Sequence, residues 1–319
     1  MVIIMSRTRY LTSILIILIL LMTLYYIVNN KEKTSDIIYN YILRLNQKKV
    51  IIPDKSNNHR SYLFKTLTET NDFVAKNEDD FKKIYYTILN NGWDTFTFQC
   101  DLDYKDCFED NSEFIKSDYM LLINNYVSPY NKQMIIKTEG IRNEITVKVT
   151  KIYKNDEITK LKNKISEVLK KYNITKETFT EKDLERIHDY IIKNTKYDDD
   201  FAKEAENFDN YNNMEDITSS KATGALFNKK AVCSGYTDAF ALFLDELKVP
   251  NFKVESMSRK HVWNVIYYNK KWSHVDLTWD DDEVNKNNNR NFYMINTKAL
   301  LKKDSKEHNF DTDLYLELK

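Results

Sequence analysis

Glycine, proline and cysteine are all scarce in this chain of 319 residues, which has 4 glycines, 3 prolines and 3 cysteines. So little glycine and proline argues against a long disordered linker and against a glycine-rich phosphate loop. An excess of charge of either sign is also missing, because 48 basic side chains balance 48 acidic ones. Without a basic excess, the composition gives no support to a nucleic-acid partner. Aromatic residues, at 13% of the chain, supply ample area for a packed core, and the length predicts two domains with additional segments.

The longest uncharged stretch lies near the N-terminus, over residues 10–28. As a helix it would span about 28 Å, which is enough for the hydrocarbon core of a membrane. Arg7 and Arg9 precede the stretch, so the short N-terminus, residues 1–9, should stay in the cytoplasm. A cleaved signal peptide is the alternative, but no small-x-small cleavage site follows and the apolar run is long for one. We therefore expect an uncleaved signal anchor over residues 10–29, which makes the chain a single-pass protein of the cell membrane with its later domains extracellular.

Two of the cysteines, Cys100 and Cys107, lie close together in the sequence. In an oxidising exterior they could form a disulfide and leave Cys233 as the one free thiol. Two unrelated thiols are an equally weighted alternative, because spacing in the sequence does not fix how far apart the two residues lie in space. Metal binding by the pair is disfavoured, since no further cysteine or histidine lies nearby at ligand spacing.

The segment between the anchor and the last third of the chain shows both helical and strand patterns. We predict a stalk helix over residues 30–58 and a small α+β domain over residues 59–175. Within that domain, alternation of apolar and polar residues over 141–149 predicts a half-buried strand. No chemical motif is present, so the domain is expected to position the rest or to bind substrate. Two helices are predicted from apolar residues at helical spacing: Phe81, Ile84, Tyr85, Ile88 and Leu89, then Ile158, Leu161, Ile165, Val168 and Leu169.

The residues that carry chemistry lie near the C-terminal end: Cys233, His261 and Asp276. The thiolate is the reactive form of cysteine. A neighbouring imidazole can take the proton of a thiol, and a carboxylate can hold that imidazole in the required tautomer. In this order the three residues predict a nucleophile, a base and an orienting group.

Cys233 is expected just before a helix or in its first turn. Apolar residues recur at helical spacing from Ala239 to Leu247, and the proline that follows ends the helix. Unpaired backbone N–H groups and the helix dipole favour a thiolate at this place, and the same N–H groups could bind an oxyanion. Gly235 fits a position where the backbone comes close to a substrate or to a neighbouring strand.

The other two residues are placed by the register of a hairpin. Residues 262–268 and 271–277 are predicted strands that are rich in β-branched and aromatic side chains. If residues 269–270 form a two-residue turn, Asp276 lies on the same face as His261, diagonal to it. Diagonal neighbours are roughly 7–8 Å apart, within reach of long side chains. A three-residue loop would move Asp276 to the other face, and Asn-Lys is a weaker hairpin signal than Asn-Gly.

Three motifs together resemble the transglutaminase-like superfamily, in particular its bacterial members. They are Ala-Val-Cys-Ser-Gly-Tyr around Cys233, His-Val-Trp-Asn from His261, and Trp-Ser-His-Val-Asp-Leu-Thr-Trp-Asp around Asp276. The stretch from Ile187 to Asp198 is similar to the helix that precedes the cysteine in such domains. The superfamily includes protein crosslinkers, peptidases, deglycosylating enzymes and inactive members, so the resemblance does not fix the reaction.

The resemblance implies a papain-like α+β core with a Cys-His-Asp triad, in which the cysteine starts a helix and the other two residues lie on adjacent strands. We therefore expect an α+β fold throughout. Residues 176–319 should form a papain-like, transglutaminase-like core with an antiparallel sheet and a cysteine-bearing helix. The small α+β domain and the N-terminal transmembrane helix precede it.

Other polar residues near the motifs have simpler interpretations. His274 shares a strand face with the predicted base and is either a reserve base or a support for the strand. His188 is expected to be a packed or capping histidine on its helix. The acidic runs at 198–200 and 280–283 lack the spacing of a calcium loop, so solvated surface is the favoured interpretation. The histidines for which the sequence shows no partner are His59 and His308.

These features predict a cell-surface, cysteine-dependent acyl-transfer enzyme without a cofactor or a metal, with Cys233, His261 and Asp276 as its catalytic residues. The acyl group of a glutamine carboxamide or a peptide bond would pass to an amine, giving a crosslink, or to water, giving hydrolysis. A protein or peptide is the expected substrate, with cell-wall peptide as one candidate. The alternative is a non-catalytic surface binding or scaffold module that retains the fold, in which Cys233 is an inert buried thiol.

Overall fold

The computed structural model describes residues 2–45, 49–205, 216–281 and 290–319. The chain folds into two compact units, Met1–Ile51 and Ile52–Lys319. The predicted boundary between residues 175 and 176 falls inside the second unit and stays a prediction.

The first unit consists of two helices, α1 (Val2–Asn29) and α2 (Lys31–Leu45). Among the described residues, no helix by itself has the length and hydropathy of a membrane span. Leu15–Asn29 and Lys31–Tyr39 reach that length and hydropathy only as a pair, and the chain bends by 106° between them. The predicted transmembrane helix is therefore not confirmed, and the stalk and the topology stay predictions.

The second unit opens with a four-stranded sheet and the helices that cover it. The sheet has the order β1 (Val74–Ala75), β2 (Thr95–Cys100), β4 (Glu144–Lys151) and β3 (Gln133–Ile141). The helices are α3 (Glu78–Asn90), α4 (Cys107–Phe114) and α5 (Asp118–Tyr126). The helix predicted from Phe81 onward is confirmed as α3.

The strand predicted over residues 141–149 is wrong at its start. Ile141 ends β3, and its neighbour Arg142 has a φ of 60°, which turns the chain into β4. Ile141 is exposed, whereas Ile145 and Val147 are buried on β4. Apolar alternation continues across this hairpin turn, so the periodicity alone could not separate the two strands.

The remaining helices and short strands surround the region of the predicted motifs. They are α6 (Asn155–Lys171), α7 (Glu181–Asn194), β5 (Lys196–Tyr197), α8 (Asp199–Ala205), β6 (Lys230–Ala231), α9 (Cys233–Glu246), α10 (Leu277–Asp280) and α11 (Thr297–Lys303). α6 confirms the second predicted helix. At the start of α7, Thr180 and Asp183 form a capping box, in which the Asp183 carboxylate accepts the backbone N–H of Thr180 at 2.9 Å.

The helix α9 is buried on all sides over its first twelve residues, Cys233 to Leu244. It contacts α7 on one side and the antiparallel sheet of β7 (Asn251–Glu255), β8 (Val262–Tyr268) and β9 (Lys271–Val275) on the other. Because apolar residues surround α9, its position is set by packing against both layers. The predicted antiparallel sheet and cysteine-bearing helix are thus present in a mixed α/β fold.

The hairpin of β8 and β9 has the predicted register, in which Tyr268 pairs with Lys271 and Asn264 with Val275. Asn269 and Lys270 both have positive φ values, 48° and 63°, which is the geometry of a type I′ turn. The strand ends at Val275, two residues earlier than predicted, because the chain then enters α10.

Contacts within the second unit tie its early residues to its late ones. The guanidinium of Arg60 donates to the Asp245 carboxylate at 2.9 Å and to the Asn251 backbone at 2.9 Å. Near the C-terminus, the buried carboxylate of Glu317 accepts from the hydroxyls of Thr66 and Tyr126 at 2.5 and 2.7 Å. Residues assigned to both predicted domains therefore share polar contacts as well as one compact unit.

Cys100 and Cys107 form a disulfide, which joins the end of β2 to the start of α4, and Cys233 is the free cysteine. Of the two alternatives that the sequence left open, the structure supports the pairing. A cross-link of this kind stabilises mainly by constraining the unfolded chain.

We predict that the denatured, unreduced protein has one titratable thiol and that reduction raises the number to the 3 cysteines of the sequence. Replacing both Cys100 and Cys107 by serine should lower the free energy of unfolding by about 2–3 kcal/mol, because it removes the constraint on the unfolded chain. Ellman titration and chemical denaturation measure the two effects. Three thiols before reduction would contradict the disulfide.

Candidate active site

Cys233 is the first residue of α9 and is 8% exposed. Its side chain and that of His261 line the same cleft of about 300 Å³. Val232, which precedes the helix, has an extended backbone, and its carbonyl accepts the N–H groups of Gly235 and Tyr236. The predicted position of the cysteine at a helix start is therefore observed, at the wall of a cleft.

Gly235 is required by close backbone packing. A Cβ atom at this position would lie 2.6 Å from the carbonyl oxygen of Ser219 and 2.9 Å from that of Lys221. These distances are shorter than real Cβ contacts, so a larger residue would push the first turn of α9 away from the neighbouring loop. Of the two predicted reasons for the glycine, the approach to neighbouring backbone applies.

His261 and Asp276 meet at the cleft through a direct hydrogen bond between Nε2 of the imidazole and Oδ2 of the carboxylate. Asp276 is the N-cap of α10, and its Oδ1 accepts the backbone N–H groups of Thr278 at 2.9 Å and Trp279 at 3.2 Å. The Cys233 thiol lines the same cleft and, together with Asp276, raises the pKa of the His261 ring. Because Nε2 faces Asp276, Nδ1 is the ring nitrogen left for the thiol. The structure thus brings together all three predicted residues, while their catalytic roles stay predictions.

The charges of this pair follow from their mutual contact in a buried place. Burial alone would lower the pKa of His261, but the Asp276 carboxylate and the Cys233 thiol raise it to about 10. Burial would raise the pKa of Asp276, but the charge and hydrogen bond of His261 hold it well below its usual range. The two groups therefore form an imidazolium–carboxylate pair at neutral pH.

His308 is a second histidine on the same carboxylate, and it was not predicted. Its Nε2 lies 2.9 Å from Oδ2 of Asp276, and its Nδ1 lies 2.8 Å from Oδ2 of Asp304. The ring is fully buried. The expectation that His308 has no partner is wrong. The one signal in the sequence was its spacing of four residues from Asp304, which carries little weight outside a helix.

His261, Asp276 and His308 together offer three ligand atoms within 4.8 Å of one another, a spacing that a metal ion could use. Zinc would hold two such atoms about 3.3 Å apart, as tetrahedral geometry and bonds of about 2.0 Å require. Here both imidazole nitrogens lie at the shorter distance of a hydrogen bond from the same carboxylate oxygen. The three side chains thus form a hydrogen-bonded cluster in this structure.

His274 is unsuited to act as a base. Its Nδ1 accepts the indole N–H of Trp263 at 2.9 Å, and its Nε2 lies 3.0 Å from the Thr297 hydroxyl. Burial and the nearby His308 lower the pKa of His274 to about 3, so the ring is neutral. The suggestion of a reserve base is therefore wrong, and the residue supports the strand. The Trp263 ring in turn stacks on His261, with centroids 5.6 Å apart.

The acidic runs differ from the predicted solvated surface. Asp198 and Asp280 are buried. Asp198 accepts the Ser219 hydroxyl at 2.6 Å, whereas Asp280 lies 3.1 Å from Nε2 of His188, which is the packed histidine that the sequence predicts. Residues 282–283 of the second run lie outside the described residues. The other histidine without a predicted partner, His59, lies 2.9 Å from the Glu69 carboxylate.

Comparison with known proteins supports the predicted resemblance. Residues 164–277 match the family model of the transglutaminase-like superfamily, so this part of the chain is a transglutaminase-like domain. Among solved structures the chain is similar to a TGase, with 17% identity, a TM-score of 0.33, and coverage of 46% of this chain and 44% of the other. It is also similar to a proposed cysteine protease from Cytophaga hutchinsonii, with 11% identity, a TM-score of 0.26, and coverage of 45% and 61%. The chain spans less than two thirds of either structure, and no curated protein matches it.

We predict that Asp276→Asn lowers the free energy of unfolding by about 3–5 kcal/mol, because it leaves a buried charge without its partner while the amide oxygen can still cap α10. The raised pKa of His261 stabilises the fold below its unfolded value of about 6.5, and this stability is lost as the pH rises toward 10. The lowered pKa of Asp276 stabilises the fold above about 3.9, and this stability is lost as the pH falls. The effect should therefore be largest between about pH 4 and 6.5.

Urea unfolding at several pH values measures this difference, with Asp54→Asn as the matched control. Asp54 is exposed, so its substitution should change little at any pH. An Asp276→Asn effect that is independent of pH would contradict the ion pair.

Proposed function

We propose that the chain is a cysteine-dependent acyl-transfer enzyme in which Cys233 is the nucleophile, His261 the acid and base, and Asp276 the orienting group. One observation carries the proposal: the thiol at the start of α9 shares a cleft with a buried imidazole whose Nε2 is held by a carboxylate. This is the arrangement that a thiol needs in order to be activated and to pass its proton on. The match of residues 164–277 to the transglutaminase-like superfamily supports the same reaction class.

The first half of the reaction forms a thioester. The Cys233 thiolate attacks the carbonyl carbon of a glutamine carboxamide or a peptide bond, and the carbonyl electrons move to oxygen. As the intermediate collapses, the C–N bond breaks and the imidazolium of His261 gives its proton to the leaving ammonia or amine. The raised pKa of His261 supplies the charged ring that this step requires.

The second half returns the enzyme to its starting state. An amine or a water molecule attacks the thioester and gives one proton to the now neutral His261. The C–S bond breaks, and the thiolate and imidazolium are restored. An amine acceptor yields a crosslink and water yields hydrolysis, so one set of groups serves both outcomes.

The backbone at the start of α9 is suited to stabilise the oxyanion. Its first N–H groups have no acceptor inside the helix. Those of Gly235 and Tyr236 donate to the Val232 carbonyl, whereas those of Cys233 and Ser234 have no acceptor within the described residues. The two remaining N–H groups lie beside the nucleophile, where negative charge develops on the substrate oxygen.

A protein or peptide chain suits the cleft as substrate. The wall around Cys233 is partly apolar, with Met134 and Ile152, and partly polar, with charged side chains of both signs such as Arg259 and Glu255. Such a mixture suits a peptide whose side chains include polar and charged ones.

We further propose that the protein acts at the outer face of a bacterial cell membrane. The uncharged stretch over residues 10–28, with Arg7 and Arg9 before it, supports a single-pass signal anchor. The Cys100–Cys107 disulfide supports an oxidising compartment. In that place, cell-wall peptides and surface proteins are the substrates within reach.

We predict that the full-length protein incorporates a primary amine into a glutamine-containing peptide, or cleaves the peptide, and that Cys233→Ala lowers this rate by at least roughly 10³-fold. Mass spectrometry distinguishes the products, because amine incorporation and peptide cleavage change the mass differently. Ser112→Ala is the matched control, since it removes an exposed hydroxyl that bonds to the Phe108 carbonyl and does not line the cleft. Equal turnover by wild type and Cys233→Ala would contradict the proposal, and a surface binding module would then be favoured.

A further inference from the structure

We propose that His308 is a positioning residue, which holds the Asp276 carboxylate toward His261, the base proposed for Cys233. The inference rests on the proposed function of Cys233. In space the hydrogen-bonded chain runs from Asp304 through His308 and Asp276 to His261, which lines the cleft together with Cys233.

Four nitrogen atoms surround the Asp276 carboxylate. Two backbone N–H groups, of Thr278 and Trp279, bind Oδ1, whereas the imidazoles of His261 and His308 both meet Oδ2. Oδ1 is thus fixed by the start of α10 alone. Without His308, the position of Oδ2 would depend on His261, the group that it is meant to orient.

His308 lies between two carboxylates, those of Asp276 and Asp304. The carboxylates on its two sides, Asp276 and Asp304, both have a pKa lowered by their hydrogen bonds despite burial, so both are acceptors. Asp304 also accepts the backbone N–H groups of Lys306 and Glu307, at 3.1 Å each. Each ring nitrogen of His308 therefore faces a carboxylate oxygen, Nδ1 that of Asp304 and Nε2 that of Asp276. The proposed role requires the N–H on Nε2. The other titratable groups nearby are His261 and His274.

Three aromatic side chains pack around the His308 ring. Phe292 stacks on His308 with ring centroids 5.0 Å apart, and Trp263 and Trp279 contact its edges at 4.9 and 5.1 Å. A ring that is enclosed on three sides and bonded at both nitrogens cannot turn without losing a charge-assisted hydrogen bond. Rigid support of this kind is what an orienting carboxylate needs.

The test measures alkylation of Cys233 by iodoacetamide across pH, in the full-length protein with its disulfide intact. We expect His308→Leu, which removes the donor, to lower the rate near neutral pH by roughly 10-fold, a part of what acid–base groups usually contribute. His261→Ala should abolish the pH-dependent step in the alkylation rate, and His308→Leu should make that step smaller. His308→Gln places an amide nitrogen near the position of Nε2 and should restore most of the rate and the step. His59→Gln is the matched control, because His59 bonds to Glu69 away from the cleft.

The outcomes separate the inference from the proposed function. If His261→Ala leaves the alkylation profile unchanged, Cys233 is not activated and the proposed function fails. If His261→Ala changes the profile while folded His308→Leu and His308→Gln both match wild type, only the role of His308 is overturned. Equal losses in both His308 variants would overturn it as well, since a retained donor would then make no difference. If His308→Leu does not fold, Asp304→Asn tests the same hydrogen-bonded series of side chains from its outer end. We expect it to lower the alkylation rate of Cys233 a few-fold. A wild-type rate in Asp304→Asn would then contradict the proposal.

Discussion

A single buried carboxylate, that of Asp276, holds the site together. Its Oδ1 accepts two backbone N–H groups at the start of α10, and its Oδ2 meets the imidazoles of His261 and His308. An ionised carboxylate that is 1% exposed is tolerated only when such partners replace its lost hydration. Each partner comes from a different part of the chain, so the charge of Asp276 requires α10, the start of β8 and the C-terminal segment to assemble around it.

The helix α9 brings the Cys233 thiol to the cleft that His261 lines. Its first twelve residues are buried, so the helix has no freedom to rotate or slide between α7 and the sheet. Gly235 lets the first turn lie against the carbonyl groups of Ser219 and Lys221. Packing, together with the buried ion pair of Asp238 and Lys253, thereby places Cys233 at the cleft wall, so the proposed chemistry depends on contacts outside the three site residues.

Local signals in the sequence predicted the parts of this site that local rules determine. The start of α9 follows from helical spacing, and the facing of His261 and Asp276 follows from strand alternation once the turn has two residues. That turn is type I′ although its second residue is Lys270. A type I′ turn requires a positive φ at this position, where glycine is the usual residue. The role of His308 could not be predicted in the same way, because it meets Asp276 across 32 residues and through tertiary packing alone. Burial of Asp198 and Asp280 was missed for the same reason, since a run of acidic residues does not show which member turns inward.

The protonation state that stabilises the fold is also the state that the proposed reaction needs first. His261 as an imidazolium pairs with Asp276, and in the proposed mechanism the same proton passes to the leaving ammonia or amine. Once that proton is given up, the neutral ring faces a buried carboxylate that has lost its cationic partner, which raises the free energy of the thioester state. Taking a proton from an incoming amine or water restores the pair, so the electrostatics of Asp276 favour completion of the second half. In the proposed role of His308 this cost is smaller, because an N–H on its Nε2 continues to serve Oδ2 while His261 is neutral. A carboxylate shared by two imidazoles can therefore stay ionised throughout the cycle, as an orienting group must.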